Sequence, residues 1–261
     1  MKAIYTVIIS FLFSTNAIGQ YTMPDDSGFT NKAEAKNEMK DSLKEGKWIE
    51  YYDDYGHISS AKYSENYHLT IYKHGKPVGI VRNYYTRPGV DALTAVYPYT
   101  DGKLNGLVKK YTQGGLLYSW TPYINGEKDG ISIEYYVHVQ CDYKNDYEHL
   151  ESIRYETPYT DDKINGVAKE YNRGGGLKSI KTYKDNTLDG ITKEYDNNGR
   201  IKSISVYTDG RLNGIKTEYY TNGQLAKEAI FIDGKQNGVA KEYYKDSALK
   251  SETPYTYGKL D

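Results

Sequence analysis

Few side chains in this chain are of types that do chemistry, and they are poorly grouped. The five histidines are His57, His68, His74, His138 and His149, and none forms a ligand pair at metal-site spacing within a regular unit of the sequence. Cys141 is the only cysteine, so no internal disulfide can form, and it reads as a half-buried small residue before it reads as a reactive thiol. The nearest approach to a constellation is the stretch 137–150, where His138, Cys141 and His149 stand among Asp142, Asn145, Asp146 and Glu148. Those residue types can hold a metal or activate a thiol. The plainer reading is a lengthened hairpin whose tip is polar because it is solvated. Asp196-Asn197-Asn198-Gly199 and the Asp-Gly connectors lack the ordered acid spacing of a calcium loop and read as turns. There is no phosphate loop and no nucleophile elbow. No catalytic, cofactor-binding or metal-binding residue is assigned, and an enzyme is not expected.

The elements that would have to position any site are set by a repeat. Eight times a glycine is followed five residues later by a tyrosine: Gly46/Tyr51, Gly79/Tyr84, Gly106/Tyr111, Gly130/Tyr135, Gly166/Tyr171, Gly190/Tyr195, Gly214/Tyr219 and Gly238/Tyr243. From Gly166 onward the step is 24 residues each time, and Gly106 to Gly130 matches it. A period of this size marks an array of one supersecondary unit. Arrays present surfaces, so the expected function is binding.

Within a unit, Gly190-Ile191-Thr192-Lys193-Glu194-Tyr195 alternates, 196–199 breaks the pattern, and 201–207 alternates again. Period-two runs bounded by Asn/Asp-Gly clusters are strand, turn and strand, because those residues tolerate the positive φ of tight hairpins. The expected fold is all-β: an elongated antiparallel meander of about eight 24-residue hairpins, some sixteen strands in a single twisted sheet. Alternation puts the first, third and fifth residues after each glycine on one face: an aliphatic (Ile80, Leu107, Ile131, Val167, Ile191, Ile215, Val239, with Lys47 as the exception), often a Lys or Arg, and the tyrosine. The second strand ends in an aromatic, Tyr123, Tyr183, Tyr207, Phe231 or Tyr255, with Tyr72, Tyr99 and Tyr159 as the delayed equivalents in interrupted units. Two aromatic rows and the aliphatic row are expected to share one apolar face. The glutamates Glu50, Glu134, Glu170, Glu194, Glu218 and Glu242 line the other, solvated face. With 31 tyrosines against 4 phenylalanines, the core is thin, and each hydroxyl stays at its wet edge.

The rhythm breaks in three places, with about nine extra residues within 52–72, three within 86–97 and twelve within 137–155. In arrays such insertions become loops on one edge, often the edge that binds a partner. Residues 1–19 stand outside the array. Lys2, the apolar run 3–13 and the small-x-small pattern Ala17-Ile18-Gly19 read as a signal peptide, too short to span a bilayer. The expected products are an exported chain (periplasmic, cell-surface or secreted), a linker or short capping helix over 20–40, and the array over 41–261. Removing Lys2 leaves 33 basic residues against 35 acidic ones, a net charge near −2. That argues against nucleic-acid binding, and no integral membrane association is expected after cleavage.

The stretch Gly46-Lys47-Trp48-Ile49-Glu50-Tyr51-Tyr52-Asp53-Asp54-Tyr55-Gly56, with the Asp-Gly-Lys-Leu-Asn-Gly connector at 101–106, resembles the bacterial MORN repeat variant (membrane occupation and recognition nexus). The resemblance covers about residues 41–261. It implies an elongated sheet of β-hairpins and an antitoxin or immunity-type protein that binds a toxin partner. The export signal departs from a cytoplasmic antitoxin. The alternative function is a glycan or cell-wall binding module whose aromatic rows stack on sugars. Attachment to a membrane surface, suggested by the family's name, is disfavoured by near-neutral charge and alternating Lys and Glu.

Overall fold

The computed structural model describes residues 28–53, 55–61, 64–87, 90–140 and 147–260. The expected signal segment 1–19, residues 20–27 and Cys141 lie outside the described residues.

Six of the eight units turn between their strands in the same way. In the fifth, strand Gly166–Tyr171 passes through a five-residue turn into strand Leu177–Lys184. The amide of Asn172 donates to the carbonyl of Gly176 at 2.9 Å, and the amide of Gly175 donates to the carbonyl of Asn172 at 2.9 Å. The same two bonds close the turns that begin at Asp53, Thr112, Asp196, Tyr220 and Tyr244. The fourth turn residue is left-handed each time and is almost always glycine; in the last turn Ser247 takes that place, at φ 72°. The carboxylate of Asp196 accepts from the amides of Asn198 and Arg200, both at 2.9 Å, so this Asp-Asn-Asn-Gly stretch is a turn held by its own side chain.

Between units, two-residue turns such as Asp209-Gly210 (φ 48° and 78°) return the chain with the geometry that suits strand twist. The Gly210 amide then donates to Leu188 of the preceding connector at 2.8 Å. Gly102, Gly126, Gly234 and Gly258 repeat that bond, to Pro77, Leu104, Leu212 and Gln236. The connectors are therefore tied to one another along one edge.

Among the described residues 24 strands form a single open antiparallel sheet in meander order. The excess over sixteen comes from two-residue strands in the connectors, such as Arg211–Leu212, and from short pieces near the first unit. A register shift follows the glutamate position in seven units, for example between Glu194 and Tyr195. Such bulges sharpen local twist.

The register corrects the expected faces. Each repeat glycine lies directly across from the second-strand aromatic: Gly46 from Tyr72, Gly79 from Tyr99, Gly106 from Tyr123, Gly130 from Tyr159, Gly166 from Tyr183, Gly190 from Tyr207, Gly214 from Phe231 and Gly238 from Tyr255. Cross-strand partners share a face. This aromatic row therefore belongs to the glycine face, opposite the aliphatic row. That face holds small buried residues: Val81, Ala95, Val108, Ser179, Thr192, Ser203, Ser205, Ala229 and Ala240.

The repeat tyrosines are left with the aliphatic row alone. Tyr51 pairs with Tyr67, Tyr84 with Leu93, Tyr111 with Leu117 and Tyr135 with Ile153. Tyr171 pairs with Leu177, Tyr195 with Ile201, Tyr219 with Leu225 and Tyr243 with Leu249. All eight are half-buried. The apolar core expected on this face, with two aromatic rows side by side, is therefore a single half-sealed row. The physical reason is that one open sheet has no second layer to close over it, and the other aromatics have gone to the opposite side.

Within 20–40, the stretch expected to be a linker or short capping helix, the described residues contain one 3-10 turn, Lys32–Glu34, and the strand Glu38–Lys40. This strand pairs with Leu43–Tyr52 through a tight turn. Further along the same edge, the Asn37 side chain accepts from the Ile49 amide at 2.9 Å and donates to the Ile49 carbonyl at 3.0 Å. Ile58–Ser59, from the first insertion, pairs with Tyr51 and Tyr52. Three local pieces thus cover an edge that would otherwise template association. Phe29 is buried against Tyr67 and Leu69, with Ile49, Ile71 and Tyr84 packed around them.

Candidate interaction surface

On the aliphatic face, the residue after each glycine faces its cross-strand partner: Ile131 and Pro158, Val167 and Thr182, Ile191 and Val206, Ile215 and Ile230, Val239 and Pro254. Ile131, Val167, Ile191, Ile215 and Val239 are 44–53 % exposed, and Ile230 is 42 % exposed. Successive units lie about two strand spacings, roughly 9–10 Å, apart. The result is a line of half-exposed aliphatics running unit to unit, where a soluble sheet would ordinarily show polar side chains.

The first unit treats this face differently. Lys47 replaces the aliphatic residue and pairs with Glu34 of the 28–36 segment. Its ammonium also lies 5.4 Å from the centre of the Phe29 ring. Ile71, across from Lys47, packs into the Phe29 cluster. Here the chain covers its own aliphatic face, and that is why the apolar pattern breaks at Lys47.

The tyrosines form two half-buried rows, one on each face. Tyr84 stacks on Tyr67 with ring centres 5.0 Å apart. The Tyr171 hydroxyl donates to Glu156 at 2.9 Å, and burial followed by that bond pushes its pKa up to about 12. Burial likewise raises Tyr99, Tyr111, Tyr123 and Tyr159. In the last two pairs, Tyr220, next to Tyr219, donates its hydroxyl to the carbonyl of Tyr243 at 2.7 Å and so links the seventh unit to the eighth. The Tyr136 hydroxyl, next to Tyr135, links the fourth unit to the fifth in the same way, through the carbonyl of Tyr171 at 3.0 Å. The residues beside two of the repeat tyrosines thus tie successive units together.

The Tyr72 hydroxyl donates to Glu50, which also pairs with Lys44. The glutamate row is anchored rather than merely solvated: Glu134 pairs with Arg154, Glu170 with Lys178 and Glu242 with Lys250. Asp91, in the second insertion, accepts from Lys32, Tyr67 and Thr86 and so ties the N-terminal segment to that hairpin. The Lys32 ammonium is the main cause holding its carboxyl below the usual range.

The histidines do not converge as a group. His68 packs against Tyr52 with the rings tilted and their centres 4.2 Å apart, and is pushed down in pKa by burial, while His57 leans on Asp53 at 3.3 Å. His138 and His149, eleven residues apart, become direct cross-strand neighbours on the third insertion. Among the described residues no group of three or more His, Cys, Asp or Glu is arranged to hold a metal. A cleft of about 330 Å3 lies where the first insertion meets the second unit, between Tyr52, His68 and Asn83. Among the described residues no helix is long and apolar enough to cross a membrane.

Residues 164–185, 188–209, 212–233 and 236–257 match the family described as MORN repeat variant. Each matched stretch starts two residues before a repeat glycine, so the match falls on the last four units, about a third of the chain. The units carrying insertions lie outside it. The matched family is not an enzyme family. No curated protein shows significant similarity to the chain.

Proposed function

We propose that this chain is an exported, non-enzymatic scaffold that binds a protein partner along its aliphatic face. Repeats of the MORN type are commonly protein-binding scaffolds, and the resemblance in sequence suggests a toxin or other effector as the partner. The observation that carries the reading is the line Ile131, Val167, Ile191, Ile215 and Val239, left 44–53 % exposed on a sheet whose opposite face buries its small residues. Burying such a row is worth about 25 cal/mol for each Å2 of apolar surface removed from water, an energy a partner can collect and the monomer does not. A protein supplies aliphatic side chains to meet it. A sugar would instead need open aromatic rings, and here the tyrosine rows are half-buried.

Photo-crosslinking from single positions tests this. A benzophenone side chain at Ile191 or Ile215 should give one discrete protein adduct in the native cell envelope, while the same probe at Glu194, on the glycine face, should not. Equal labelling from both faces, or adducts only to polysaccharide, would reject the aliphatic face as the docking surface.

A further inference from the structure

We propose that the lengthened hairpin of the fourth unit carries a two-histidine site for a late first-row divalent cation, Cu2+ in preference to Zn2+. The hairpin is formed by Gly130–Gln140 and Tyr147–Thr160, which run well beyond the six-residue first strand of an uninterrupted unit. His138 and His149 are paired directly across it. Their ring centres are 4.9 Å apart and the rings are tilted by 36°. Cation–nitrogen bonds of about 2.0–2.1 Å need donor nitrogens within roughly 4 Å of each other, the range in which two rings with centres 4.9 Å apart already stand.

A third residue sets the tautomer. His138 Nδ1 lies 3.3 Å from Glu151 Oε1. A carboxylate only accepts, so in the neutral ring this contact favours the proton on Nδ1 and leaves Nε2 as the nitrogen with a lone pair for a cation. Glu151 is itself held in place. Its side chain is only 19 % exposed, and Arg173 of the next unit's turn lies 3.4 Å from the same oxygen. The neighbouring Ser152 hydroxyl donates to the carbonyls of Asn172 and Arg173, and the Tyr136 hydroxyl donates to the carbonyl of Tyr171. The base of the hairpin is thereby fixed to the array, and the two imidazoles are presented on a positioned strand pair.

The chemistry then selects the ion. Once one imidazole has bound, the second binds intramolecularly, at a high effective concentration. Imidazole suits copper, zinc and nickel, and the general affinity order places Cu2+ highest. Water fills the remaining coordination positions. The site is independent of the aliphatic face and of whatever partner that face binds.

Titration of the full chain with Cu2+, followed by calorimetry and electron paramagnetic resonance, tests the proposal. The expected result is one Cu2+ per chain with a two-nitrogen imidazole signature. His138→Ala and His149→Ala should each weaken binding at least tenfold with an unchanged circular dichroism spectrum, and Cys141→Ser should leave it unchanged. Glu151→Gln, which removes the charge facing both His138 and Arg173 while keeping the side chain's shape, should weaken binding while keeping the two-nitrogen signature. No bound Cu2+, Cu2+ binding that survives both histidine substitutions, or binding that is lost with Cys141 would each overturn it.

Discussion

Gly190 and Gly214 hold φ at 122° and 130°, and an added Cβ would come within 3.0 Å of Thr182 and 3.1 Å of Val206, each in the preceding strand. Conformation and space both exclude a side chain at these positions, which are also covered by an aromatic from across the pair. Gly190→Ala or Gly214→Ala should each cost about 1–3 kcal/mol in urea unfolding. Gly199 is the internal control. It sits at φ 76° with nothing within 4 Å of a built Cβ, so Gly199→Asn should shift stability by less than about 1 kcal/mol. The buried tyrosines make a second prediction at this scale. Tyr171 has its folded pKa raised to about 12, and several other tyrosines are raised with it. A raised folded pKa contributes stability that is complete below the unfolded value near 10 and is lost as pH climbs through the folded value. Tyrosinate absorbance should therefore rise in two waves. The later wave should coincide with loss of near-ultraviolet dichroism, and Tyr171→Phe should reduce its amplitude.

The first strand shows how an element's edge is managed. Asn37 satisfies both backbone groups of Ile49 at the point where neither Glu38–Lys40 nor Ile58–Ser59 reaches. Asn37→Ala should cost about 1–3 kcal/mol and raise the dimer fraction seen by light scattering, because an unpaired edge is left open. Phe29→Ala, which empties the cover over Tyr67 and Leu69, should cost about 3–5 kcal/mol. Much of this element scale was legible in the sequence. The Gly-to-Tyr spacing marks the first strand of every unit, Asp-Gly marks three of the connectors (101–102, 209–210 and 233–234), and Tyr72, Tyr99 and Tyr159 stand opposite their glycines despite the insertions. The face of the second aromatic row was not legible. Alternation counted along the chain loses its reference in the turn, and the bulge after Glu194 shifts the register by one more residue, so only the pairing of Gly190 with Tyr207 settles which side the ring takes. The pairing of His138 with His149 was hidden for the same reason, since it depends on where the hairpin of the third insertion folds.

At the scale of the whole molecule the two faces have separate tasks. The glycine face buries Thr192, Ser203, Ser205 and Ala240 and anchors its glutamates, Glu194 by Ser203 within its own unit and Glu242 also by Lys227 of the unit before. Among the described residues the aliphatic face is covered by an N-terminal segment over the first units, around Phe29. Beyond them the line from Ile131 to Val239 faces solvent at about half exposure. The repeat pattern revealed that this row existed. Its exposure was not apparent from the sequence, because an alternating strand with aliphatics on one side reads as having its core there. The most direct measurement is the double substitution Ile191→Glu with Ile215→Glu, assayed in parallel for urea unfolding and for affinity to the protein crosslinked from Ile191. A recognition surface predicts a stability change of no more than about 1 kcal/mol per site, on the scale of strand propensity, together with loss of partner binding by at least tenfold. Unfolding of the array, or a double variant that keeps its full affinity, would contradict the assignment of this face to recognition.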